Sequence, residues 1–152
     1  MAFKHLFKVS LKWQAQKHQR YTKNHSISIE QKEILNISAA KAFKGDPSRY
    51  NPEDLLLSSL VSCHMMSYLY VCGQNGIDVL TYTDDAEATL EVTAEGSGRF
   101  VAVRLFPKVA IRQMDKIELA HQLHKKANQL CFIANSCNFP IEHFPEIMVA
   151  NE

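Results

Sequence analysis

Apolar and polar residues alternate at the start of the chain. Phe7, Val9, Leu11 and Trp13 are separated by Lys8, Ser10 and Lys12, the period-two pattern of a half-buried strand. Ile27 and Ile29 alternate with polar neighbours over Ser26–Glu30 and predict a second strand; Ile34–Ile37 predicts a third. Gly45-Asp46-Pro47-Ser48 then breaks the chain. Just after it, Asn51 suits a helix N-cap and Pro52 the first helical position, and Glu53 and Asp54 suit the positive end of a helix dipole. From Leu55 to Gln74 the only breaker is Gly73, so a long helix is expected to end near Asn75-Gly76.

That helix is apolar on nearly every face. Leu55, Leu56, Leu57, Leu60, Val61, Met65, Met66, Tyr68, Leu69 and Val71 leave no continuous polar side. A helix apolar all round has to be covered all round, and a domain of this size seldom wraps one so fully. A second copy of the chain is the simplest cover.

Beyond the helix, Ala86, Ala88, Leu90 and Val92 alternate with polar residues, Gly96-Ser97-Gly98 turns, and Val101, Val103 and Leu105 alternate on the way back: a hairpin. Asp115-x-x-Glu118 reads as a capping box. It opens a helix carrying Ile117, Ala120, His124, Ala127 and Leu130, ended or bent within Asn128–Cys131. Pro140 opens a last strand, Ile141–Val149. Strands, long helix, strands, helix, strand is an α+β arrangement, expected as a single domain over residues 1–152.

Composition narrows the function classes. A formal net charge of +1 argues for no electrostatic partner such as nucleic acid or an anionic membrane. No stretch approaches 18 uninterrupted apolar residues, so no membrane span is expected. Met1–Trp13 has no apolar core of an export signal, so the expected location is the cytoplasm. Four cysteines in 152 residues do not make a disulfide framework. In a reducing compartment, paired cysteines are more often catalytic or metal-binding.

Cys63 falls in the middle of the long helix and Cys131 near the end of the second, 68 residues later. Cys72 is nine residues beyond Cys63, on the opposite helix face and about 13 Å further along, so it reads as core. Cys137 is ambiguous. Cys63 itself reads either as another small core residue or as a reactive thiol, and reactivity requires a cationic neighbour that sequence spacing does not supply. A zinc site assembled from Cys63-His64, His121, His124, Cys131, Cys137 and His143 is the rival chemistry. It lacks the close Cys/His pairs such sites use, and histidines three apart, like His121 and His124, are more often solvated. No metal and no cofactor are therefore expected. A hydrolase elbow and a phosphate-binding glycine loop are both missing from the sequence.

The run Tyr50-Asn51-Pro52-Glu53-Asp54-Leu55-Leu56-Leu57-Ser58-Ser59-Leu60-Val61-Ser62-Cys63 resembles the signature of the OsmC/Ohr family, an N-P-E-x-L-L motif ten residues before a helical cysteine. Cys131-Phe132-Ile133-Ala134-Asn135-Ser136 stands where that family keeps a second cysteine, and the element order agrees over nearly the whole chain. The resemblance implies an OsmC-like fold in an intertwined homodimer, with the long helices central and packed against antiparallel sheets. It implies a peroxidatic Cys63, a resolving Cys131, and Glu53 orienting a cationic side chain. The activity it implies is thiol-dependent reduction of organic hydroperoxides, with a dithiol or lipoyl-type donor as reductant. The alternative is a dimeric OsmC-like protein that binds a small apolar or electrophilic ligand without efficient turnover. Two departures mark a divergent branch. Where the family keeps a functional Arg, in the loop before the second strand, this chain has Lys23, with Arg20 three residues earlier and Arg49 beside the motif. Phe132 follows the second cysteine where peroxidase branches often have Pro.

Glu53 precedes Cys63 by ten residues, about 15 Å of helical rise. Its side chain cannot reach the thiol of its own chain. A working site then needs either a long cationic bridge from Lys23 or Arg20, or Glu53 from a partner subunit.

Overall fold

A computed structural model of the chain describes residues 1–150. The chain forms two compact units, Met1–Leu56 and Leu57 onward.

The first unit is built on a three-stranded antiparallel sheet, β1 (Ser10–Lys12), β2 (His25–Ser28) and β3 (Leu35–Ile37), with β2 central. The predicted first strand is much shorter than its alternating pattern. Phe7, Val9 and Leu11 all stay exposed, so β1 buries neither face in this chain. Between β1 and β2 the backbone folds over itself. Trp13 Nε1 donates to the Thr22 carbonyl at 2.8 Å, and Asn24 N donates to Thr22 Oγ1. After β3, Lys44 adopts a left-handed conformation, and Gly45 packs so closely on Ala39 that a Cβ would lie 1.7 Å from the Ala39 carbonyl oxygen. Asp46 Oδ1 accepts from both the backbone and the hydroxyl of Ser48, and Asp46 N donates to the buried Ser38 Oγ. These bonds make the predicted chain break a defined turn.

Helix α1 runs Pro52–Gln74. Its start is a reciprocal cap: Asp54 N donates to Asn51 Oδ1 at 2.8 Å, and Asn51 N to Asp54 Oδ2. Its end is a Schellman closure. Gly76 has φ +68°, Ile77 N donates to the Cys72 carbonyl and Gly76 N to the Gly73 carbonyl. Both ends fall where the sequence placed them. By length and composition alone α1 is apolar enough to cross a membrane. From Leu57 on it packs in the second unit, where Leu60, His64, Tyr68, Val71 and Cys72 form one fully buried stripe.

The second unit adds β4 (Val79–Asp84), β5 (Glu87–Val92), β6 (Gly98–Leu105), β7 (Pro107–Ile111), α2 (Ile117–Leu130), β8 (Ile141–His143) and β9 (Glu146–Val149). They make two sheets, ordered β4-β7-β9 and β5-β6-β8. The α+β class is as expected, and β5–β6 is the predicted hairpin. The predicted elements include neither β4, which alternates over residues 80–83, nor β7, which is buried at four of five positions. The last predicted strand is two, broken at Phe144-Pro145, and each half joins a different sheet in parallel, β8 beside β6 and β9 beside β7. The sheets are therefore mixed rather than purely antiparallel. The Asp115/Glu118 capping box does not form: a 3-10 turn over Met114–Lys116 leads into α2, whose N-cap Lys116 makes no side-chain cap.

Two apolar clusters fill this unit. One gathers Tyr68, Val71, Cys72, Val109, Ile111 and Ala127. The other gathers Leu60, Val103, Leu105 and Cys131, with Cys63 packed against it.

Candidate functional site

The second cluster holds the two cysteines that the sequence separated by 68 residues. α1 carries Cys63, half-buried, and Cys131 is the fully buried C-cap of α2. Cys63 packs against the cluster that holds Cys131, and the Ala134 backbone N–H donates to Cys131 Sγ at 3.4 Å. Burial pushes the Cys131 thiol up to about 11, with the neighbouring Cys63 adding to the rise and the Ala134 and Ile133 amides opposing it. Cys131 is thus held protonated at neutral pH, unsuited to attack first and able to serve as a second, capturing thiol.

The remaining cysteines are apart from this pair. Cys72 is core, as expected: it is buried in the first cluster with Tyr68, and burial raises its pKa. Cys137 follows a 3-10 turn over Ala134–Ser136, and burial raises its pKa.

The carboxylate and the candidate cations lie in the first unit. Glu53 and Lys23 line one cavity of about 350 Å³ with Trp13, His25 and Phe43. Glu53 Oε2 is buried without a hydrogen-bond partner. The Lys23 loop is pinned by His25 Nδ1 against the Lys23 carbonyl at 2.8 Å. Arg20 sits on an exposed turn and does not line this cavity. Arg49 is committed elsewhere, to Asp46 at 3.6 Å and to the His25 carbonyl.

Sequence reasoning missed a cluster of buried histidines. His64 and His124 are 1% and 2% exposed, and His64 Nε2 lies 3.0 Å from His124 Nδ1. His143 from β8 tilts against His64, and Tyr68 stacks on His124 with ring centroids 3.8 Å apart. Burial drives both imidazoles down to about 3, helped at His64 by His143 and at His124 by His64, His143 and His121. His143 is lowered for the same reason. The expectation of solvated histidines on the second helix holds for His121 and fails for His124. The missed signal was spacing: His64 continues the Leu60–Tyr68 stripe, and His124 falls between Ala120 and Ala127 on the apolar face of α2. Among the described residues, no three His, Cys, Asp or Glu side chains are arranged to hold a metal ion.

A family model described as OsmC-like protein matches residues 45–143, which include the Asn-Pro-Glu motif and both facing cysteines. The chain belongs to the OsmC-like family. The uncharacterized protein YmaD of Bacillus subtilis (strain 168) is 25% identical over 112 residues, which are 72% of this chain and 74% of that protein. An OsmC-like protein of unknown function from Vibrio cholerae shares the fold with TM-score 0.81 at 24% identity, over 95% of this chain and all (100%) of that one. An organic hydroperoxide resistance protein from Elizabethkingia anophelis does so with TM-score 0.70 at 20% identity, over 97% and 100%. The OsmC-like fold thus extends to the first unit, beyond the matched residues.

Proposed function

We propose that this OsmC-like protein is a thiol-dependent peroxidase for organic hydroperoxides. The supporting observation is the Cys63–Cys131 pair, a half-buried thiol packed in one cluster with a buried one whose pKa burial raises. The Cys63 thiolate attacks one peroxide oxygen. The O–O bond breaks, the other oxygen leaves as the alcohol after taking a proton, and Cys63 becomes a sulfenic acid. Cys131 then attacks that sulfur, its thiol proton leaves with the hydroxyl as water, and a Cys63–Cys131 disulfide forms. An external dithiol returns both thiols. The apolar cluster that Cys63 packs against, with Leu60, Val103 and Leu105 at its core, favours an alkyl peroxide over hydrogen peroxide.

The working form in this reading is a homodimer. In the single chain α1 leaves Met66 (57%), Leu69 (40%) and Tyr70 (59%) exposed, opposite its buried stripe, and such a face calls for a cover. Glu53 of the other subunit, with Lys23, would complete each site. The test is turnover of cumene hydroperoxide with dithiothreitol or dihydrolipoate. Wild type should turn over and Cys63→Ser should not. Equal rates for the two, or none for wild type, would leave the ligand-binding alternative standing.

A further inference from the structure

Two helices carry the reacting thiols, and directional contacts between them are few. His64 of α1 meets His124 of α2 at 3.0 Å. The hydroxyl of Tyr68, one turn further along α1, donates to the carbonyl of Ala120 at 2.8 Å. Four residues forward on α1 correspond to four residues backward on α2, so the helices run antiparallel here and the two contacts are successive rungs of one ladder. Stepping the other way, the same register carries α1 back to Leu60 and α2 on toward its C-cap, where Leu60, Cys63 and Cys131 share a cluster. At the far end of the ladder Lys116 Nζ, at the N-cap of α2, donates to the carbonyls of Asn75 and Gly76 just past α1, while Val71, Cys72, Leu123 and Ala127 add apolar packing. Apolar packing tolerates small slips of one helix on another, whereas a slip that parts a buried polar pair strands two further polar atoms, beyond His64 Nδ1 and His124 Nε2, which already lack partners.

We propose that His64 and His124, with the Tyr68–Ala120 bond as second rung, are positioning residues that hold α1 and α2 in the register bringing Cys63 and Cys131 together. Neither imidazole touches a reacting atom. One donates its N–H to the other, and the pair is neutral on both sides, so the contact needs no counterion. The inference takes the Cys63–Cys131 disulfide from the function proposed above, but the measurement that tests it needs no peroxide.

The experiment is equilibration of the full-length protein with reduced and oxidised dithiothreitol. The fraction of Cys63–Cys131 disulfide, read by mass spectrometry, gives the effective concentration of one thiol at the other. Two substitutions at His124 separate alignment from bulk. His124→Asn keeps a polar atom near the position of Nδ1; His124→Leu keeps volume and removes the bond. The expected result is a fall of about tenfold in effective concentration for His124→Leu, with His124→Asn within about threefold of wild type. Tyr68→Phe removes one oxygen and should lower the value about threefold, which keeps the test alive should His124→Leu not fold. Unchanged values in folded His124→Leu and Tyr68→Phe would overturn the proposal. So would His124→Asn falling as far as His124→Leu, because packing alone would then explain the loss. Failure of the peroxidase reading appears separately, as a wild-type protein that forms the bridge with dithiothreitol but is not oxidised by a hydroperoxide.

Discussion

Acidification below about pH 6.5 should destabilise this protein through its buried histidines. His64 and His124 are held down to about 3 in the folded chain, against about 6.5 for a free imidazole. Their pKa values are lower folded than unfolded, so the unfolded chain binds more protons between these limits, and stability falls as pH drops below 6.5. Above 6.5 the contribution is fully present. At pH 5.0 each imidazole is neutral when folded and charged when unfolded, costing about 2 kcal/mol per group and about 4 kcal/mol for the pair. The groups around them offer no countercharge: Tyr68 and Cys72 of α1, Tyr82 of β4, His121 of α2 and His143 of β8 are neutral or would add positive charge. The assay is urea unfolding at pH 7.5 and 5.0, wild type against the double substitution His64→Gln/His124→Asn. Wild type should lose about 2 M in midpoint beyond what the double variant loses, at an m-value of about 2 kcal/mol/M. Equal pH dependence in the two proteins would refute the burial argument.

Three further outcomes follow from the geometry. Cys131→Ser should leave a single hydroperoxide-dependent oxidation of Cys63 and then stall as sulfenic or higher acid, seen as mass increments of one or more oxygens; continued turnover would assign the capturing thiol to Cys137 or to the reductant. Mixing inactive Cys63→Ser with inactive Glu53→Ala subunits should restore about half the wild-type activity per heterodimer, because shared sites put both lesions in one site and leave the other intact; no recovery with heterodimers confirmed would place Glu53 and Cys63 in one chain. Gly45→Ala should destabilise by about 3 kcal/mol, because its Cβ would fall 1.7 Å from the Ala39 carbonyl oxygen and backbone must move to admit it; a thermal midpoint unchanged within error would show that the turn can relax.

Local signals were legible in the residues themselves. Asn51-Pro52 and Asn75-Gly76 marked both ends of α1, because caps and left-handed closures depend on a few neighbouring side chains. The β5–β6 hairpin followed from alternation around Gly96 and Gly98. The Asn-Pro-Glu motif ahead of Cys63 pointed to the family that the matched residues 45–143 establish. Other features were decided only by the tertiary structure. Strand β7 carries too little alternation to announce itself, since it is buried at four of its five positions. The parallel joining of β8 and β9 is a choice between distant partners, and no window of sequence encodes it. The meeting of Cys63 with Cys131, and of His64 with His124 across 60 residues, likewise depends on how α1 lies against α2. A residue's type sets what chemistry it can do. Burial and neighbours, supplied by distant parts of the chain, set whether its proton stays or leaves.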